Sequence, residues 1–110
     1  MKKQLIEQAE RIGFKSKAVK GISIESPFMF NPEVIERDNL NYYLWMCELQ
    51  KWLRDERGYH VESLISPTFN FERHTWCIVS DKKMLKADAE DTYELALQAG
   101  LLEACKLIEL

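Results

Sequence analysis

A chain of 110 residues, 46% hydrophobic and 30% charged, has enough apolar mass for one core but not the length for two, so one domain over residues 1–110 is expected. Charges break every apolar stretch well short of the roughly 20 residues a spanning helix needs, which argues against a membrane protein. Net charge is −3 overall, yet residues 1–20 carry Lys2, Lys3, Arg11, Lys15, Lys17 and Lys20 against Glu7 and Glu10. The remaining body is therefore strongly acidic and would repel a phosphate backbone, which disfavours nucleic acid as a partner and confines any such role to the basic first segment.

The opening "MKKQLIEQAERIGF" has the lysines of a secretory leader, but Glu7, Glu10 and Arg11 interrupt any apolar stretch. A cytoplasmic location is the resulting expectation. Leu5, Ile6, Ala9 and Ile12 predict a helix over 2–12, stopped at Gly13. Val19, Ile22 and Ile24 fit a short strand that Pro27 ends. Asn31 and Pro32 then form a helix start, with a break expected near Asp38–Asn39. From Asn41, the residues Tyr42, Trp45, Met46, Leu49, Trp52 and Leu53 recur at steps of three and four, making one apolar stripe with Glu48, Lys51 and Asp55 opposite. Gly58 closes this helix.

"YHVESLISP" and "HTWCIVS" read as two strands of a hairpin, and "DKKMLKADAE" as a linker. The closing helix carries Tyr93, Leu97, Leu101, Ala104 and Ile108 on one stripe, with Asp91 and Glu94 at capping-box spacing. Ala96, Gly100 and Ala104 would let it lie close to the sheet. Leu44 in the preceding helix, and Leu95 and Leu102 here, fall off the main stripes.

The run "YYLWMCELQKWLRDERGYHVES" followed by "DTYELALQAGLLEACKLI" resembles a group of small uncharacterised proteins from phages, prophages and gut bacteria. In these an "ELQKWLR" helix leads into a hairpin containing a Trp, and a "TYEEALEAGL" helix ends the chain. The resemblance spans residues 41–108 and leaves the first forty unassigned. It implies the helix–hairpin–helix order and a phage-related setting; it brings no activity, cofactor or catalytic residue with it. Leu95 and Gln98 stand where the group has acids, which makes that face more apolar.

Each constellation that could carry chemistry has a plainer alternative. Trp45 and Trp52, two turns apart among aliphatic residues, suit a core better than a stacking platform, which would set aromatics among basic side chains. His60, Glu62, His74 and Cys77 are possible metal ligands, but His74 and Cys77 point to opposite faces of a regular strand, and no HExxH or paired CxxC is present. The obvious nucleophile–base pairing is Cys77 with His60 or His74, although Trp76 and Ile78 suggest a buried thiol in a sheet interior. Glu62 with Glu72 or Asp81 would be the carboxylate pairing. Cys47, Cys77 and Cys105 are an odd number far apart, so reduced and mostly buried thiols are expected rather than disulfides. Phe69 and Phe71, in "SPTFNFER", either fold back onto the core or form a contact surface.

These readings predict an α+β fold, with a small antiparallel sheet of two or three strands packed against two main helices and a short N-terminal helix. The expected function is a non-catalytic protein-binding or accessory role, without cofactor or metal. The alternatives are a small nucleic-acid accessory protein using residues 1–20, or an enzyme using Cys77 with His60 or His74. Leu95, Leu102, Phe69 and Phe71 are the expected interaction surface, and a symmetric homodimer the expected assembly.

Overall fold

The computed structural model describes residues 2–17, 32–65 and 74–109, with segments 32–39 and 64–65 as backbone alone. The strand expected around Val19–Ile24, the Asn31 cap and the Phe69–Phe71 loop lie outside those residues. Helix α1 spans Lys2–Arg11 and buries Leu5, Ile6 and Ala9. It ends because Gly13 takes φ 97°, a left-handed value that costs glycine little. The Phe14 and Gly13 amides then reach back to Ala9 O (2.9 Å) and Glu10 O (3.1 Å), satisfying carbonyls that the helix end would leave bare.

This turn aims Phe14 into the core. Its ring meets Trp45 edge-on and Trp52 at a tilt, both at 5.5 Å between centroids. Both tryptophans belong to α2, Pro32–Arg57, which is 26 residues long and continues through Asp38 and Asn39 without the expected break. Two poor helix formers lower stability by only a few tenths of a kcal/mol each, too little to interrupt a helix anchored by packing further along. Tyr42, Trp45, Met46, Leu49 and Leu53 are buried. Trp52 is half-buried at the margin, beneath the Arg57 guanidinium. Glu48, expected on the solvated side, accepts hydrogen bonds from Ser16 Oγ and the Lys17 amide, both at 2.6 Å. It thereby ties the segment after α1 to α2.

Three antiparallel strands follow: β1 (His60–Ile65), β2 (His74–Ser80) and β3 (Lys83–Glu90), in the order β1-β2-β3. The last replaces the expected linker. Ser80 pairs with Lys83, so Asp81 and Lys82 form a two-residue turn with φ 52° and 63°. Positive φ at both positions matches the right-handed twist of the flanking strands.

Helix α3, Tyr93–Glu109, returns across the sheet. Its cap is Thr92, whose Oγ1 accepts from the Leu95 amide at 3.1 Å; the capping role expected of Asp91 falls one residue later. Every residue from Ala96 to Leu102 is buried, because α3 packs against α1, α2 and the sheet. A helix enclosed on several sides buries more than one apolar stripe. Gly100 makes the closest approach: a Cβ there would stand 2.9 Å from Val61 Cγ1 and 3.3 Å from Trp76 Cβ. The fold is α+β, with α2 and α3 packed against the sheet and α1 packed on α3. Among the described residues, no helix is long and apolar enough to cross a membrane.

Candidate interaction surface

Strand alternation and burial separate the two faces of the sheet. Val61, Ser63, Trp76 and Ile78 are buried toward the helices. His60, Glu62, Thr75, Cys77 and Val79 have the opposite parity and form the outer face. Glu62 pairs directly with Cys77, and His60 with Val79, so His60 is a diagonal neighbour of Cys77. His60 and Glu62 are exposed and Cys77 is half-buried; the expected buried thiol in a sheet interior is therefore a thiol on the outer face.

His74 has the parity of Trp76 and lies on the helix side, edge-on to Tyr93 at 6.3 Å. The structure thus keeps His74 apart from Cys77. Among the described residues, no group of three His, Cys, Asp or Glu side chains is placed to hold a metal ion.

Beside His74 is a cluster that the sequence did not suggest. Burial first, then Cys47 and Tyr93 beside it, push the Tyr43 hydroxyl up to about 12. Tyr42 is also pushed upward by burial, and its hydroxyl donates to Gln98 Oε1 at 2.5 Å. Phenols held this firmly protonated are poor general bases at neutral pH. Cys105 is pushed up to about 12 by burial and then by Glu109, so it is a packing group rather than a nucleophile. Ser63 Oγ, His74 Nδ1 and Trp76 Nε1 are buried without hydrogen-bond partners among the described residues. They mark a polar strip on the helix-facing side of the sheet, with Ser63 opposite Trp76 in the register.

The basic N-terminal segment is distributed over several elements. The Lys2 ammonium sits 5.0 Å from the Tyr42 ring centroid, and Arg11 pairs with Glu109 at 3.9 Å. Lys3, Lys15 and Lys17 are exposed, with Glu10 exposed on the same helix as Lys3.

Large exposed apolar side chains are the more distinctive surface feature. Leu95 is 40% exposed in the first turn of α3. Leu102, expected on the same open face, is only 5% exposed. It lines a groove of about 220 Å³ with Gln4, Glu7, Gln8, Arg11 and Lys106, because α1 packs along the side of α3 that lies off its main apolar stripe. Phe69 and Phe71 lie outside the described residues. Leu44 and Leu40 are exposed on α2. The sequence reading missed Met84 and Leu85, 67% and 47% exposed on β3; "MLK" carries the signal, but only once the segment is known to be an edge strand.

Met84 pairs with Val79, and Ala87 with Cys77. The outer face of the hairpin therefore carries a strip of Met84, Val79, Cys77 and Ala87, bounded by His60 and Glu62. Comparisons with protein-family models, curated proteins and solved structures gave no match.

Proposed function

We propose that this chain is a non-catalytic protein-binding or accessory module, cytoplasmic and self-associating, working in a phage-related setting. One observation carries the reading. Met84 and Leu85 stand exposed side by side on an edge strand, while the chemistry-bearing side chains are divided between two faces of the sheet. A catalytic centre needs nucleophile, base and orienting group within reach of one another. Here Cys77 and His74 point apart; Cys77, Glu62 and His60 share the outer face, but His60 and Glu62 stand exposed there, with no enclosed cleft among the described residues to bring them together. Exposed apolar residues grouped on a strand that has no described strand beyond it are what a protein partner would cover. The phage-related setting comes from the resemblance of residues 41–108 to small phage and prophage proteins.

Tagged chains captured from the host, with and without phage infection, test the reading by mass spectrometry. The paired changes Met84→Lys and Leu85→Lys should abolish recovery of the bound protein. His60→Ala with Cys77→Ala should leave it unchanged. Loss of binding in the His60 and Cys77 variant alone would move the functional centre to that part of the outer face and overturn the reading.

A further inference from the structure

The sheet has two unequal edges. Helix α2 lies against β1, and Gln50 Nε2 donates to the Val61 carbonyl at 2.6 Å, so that edge is partly covered. On β3, every residue from Lys83 to Asp88 is exposed, and no described strand lies on its far side. Helix α3 also meets β3, with Lys86 Nζ 2.6 Å from Glu103 Oε2.

We propose that β3 pairs antiparallel with β3 of a second copy, about a two-fold axis at Ala87, joining the two three-stranded sheets into one. This rests on the reading of the chain as a binding module and names a second copy as the partner. The charge order supports it. An edge that repels other strands commonly carries lysines, and lysines alone would face lysines in a self-pair. Here Lys83 and Lys86 precede Asp88 and Glu90, so an antiparallel match sets opposite signs together.

With Ala87 on the axis, Lys86 stands across from Asp88 of the second copy, and Asp88 from its Lys86. The faces also agree. Lys86 and Asp88 pair with Ile78 and Trp76 of β2, both on the helix side, and opposed residues in an antiparallel ladder must share a face. Ala87 is small enough for close approach at the axis. The irregularity between Ile78 and Val79 sets Leu85 out of the regular alternation.

Sedimentation equilibrium of the full chain tests the proposal through a charge swap. Lys86→Asp alone and Asp88→Lys alone each place like charges opposite one another twice per dimer, and each should raise the dimer dissociation constant at least about tenfold. All the variants are compared in a Glu103→Gln chain, so that loss of the intrachain Lys86–Glu103 pair does not enter the comparison; there, Lys86→Asp combined with Asp88→Lys restores both pairs across the axis and should return the constant to near that of the Glu103→Gln chain. Hydrogen exchange on the native chain gives an independent reading, with the β3 amides becoming more protected as concentration rises. A native chain that is monomeric at the highest concentration overturns the proposal; the capture experiment above then decides separately whether the module reading stands. A dimer indifferent to the single changes, a double swap no stronger than either, or β3 exchange independent of concentration places any self-association elsewhere and overturns the assignment to β3.

Discussion

Gly100→Ala turns the close approach of α3 to the sheet into a measurable quantity. On an open helix surface this change stabilises by about 1 kcal/mol, because alanine loses less backbone freedom than glycine. Here the new methyl would stand 2.9 Å from Val61 Cγ1, 3.3 Å from Trp76 Cβ and 3.5 Å from Trp76 Cε3. Val61 and Trp76 are 2% and 3% exposed. A β-branched side chain on a paired strand has few rotamers to escape into, and the Trp76 Cβ is fixed by its backbone. Overpacking of this kind costs about 1–3 kcal/mol, so the expected net loss is about 1–2 kcal/mol. Urea denaturation followed by tryptophan fluorescence measures it. In a Val61→Ala background the nearest obstruction is gone, and the same Gly100→Ala change should cost at least about 1 kcal/mol less. An alanine variant as stable as the native chain in both backgrounds would refute the close approach as a packing constraint.

Three further expectations follow from the same geometry. Lys82→Gly should stabilise by about 0.5–1 kcal/mol, since a left-handed lysine carries a steric penalty that glycine avoids and only part of the gain is lost to greater unfolded-state freedom; thermal melts compare the two. Leu49→Ala, at a fully buried position, should cost roughly 2–5 kcal/mol and His60→Ala, at an exposed one, within about 0.5; equal losses by chemical denaturation would mean that His60 holds structure or a site. In a chain carrying Cys47→Ser and Cys77→Ser, Cys105 should react with a thiol reagent at pH 8 on the order of a hundredfold more slowly when folded than when unfolded, because burial disfavours its thiolate; equal rates would place that sulfur in solvent.

The sequence alone determined the elements whose side chains have a strong period or a strong stop. The stripe from Tyr42 to Leu53 made α2 visible, and Gly13 and Gly58 marked turns that take φ 97° and 72°. β1 and β2 were legible through β-branched and aromatic residues, and Gly100 through its small neighbours, since each signal is local in the chain. β3 was not. "KMLKADAE" is made largely of residues depleted in strands, it buries almost nothing, and its Asp81–Lys82 turn lacks the glycine that usually announces such a hairpin. Only hydrogen bonding to β2 makes it a strand.

Leu102 shows the same division. Its off-stripe position was visible, but whether that side met water depended on where α1 came to rest, a long-range docking that no local period encodes. The candidate site divides likewise: alternation alone set His74 and Cys77 on opposite faces, while the exposed pair Met84–Leu85 came to stand on an edge strand of the described sheet only when the third strand joined it. Periodicity says which side of an element is apolar; tertiary packing decides which neighbour, if any, covers it.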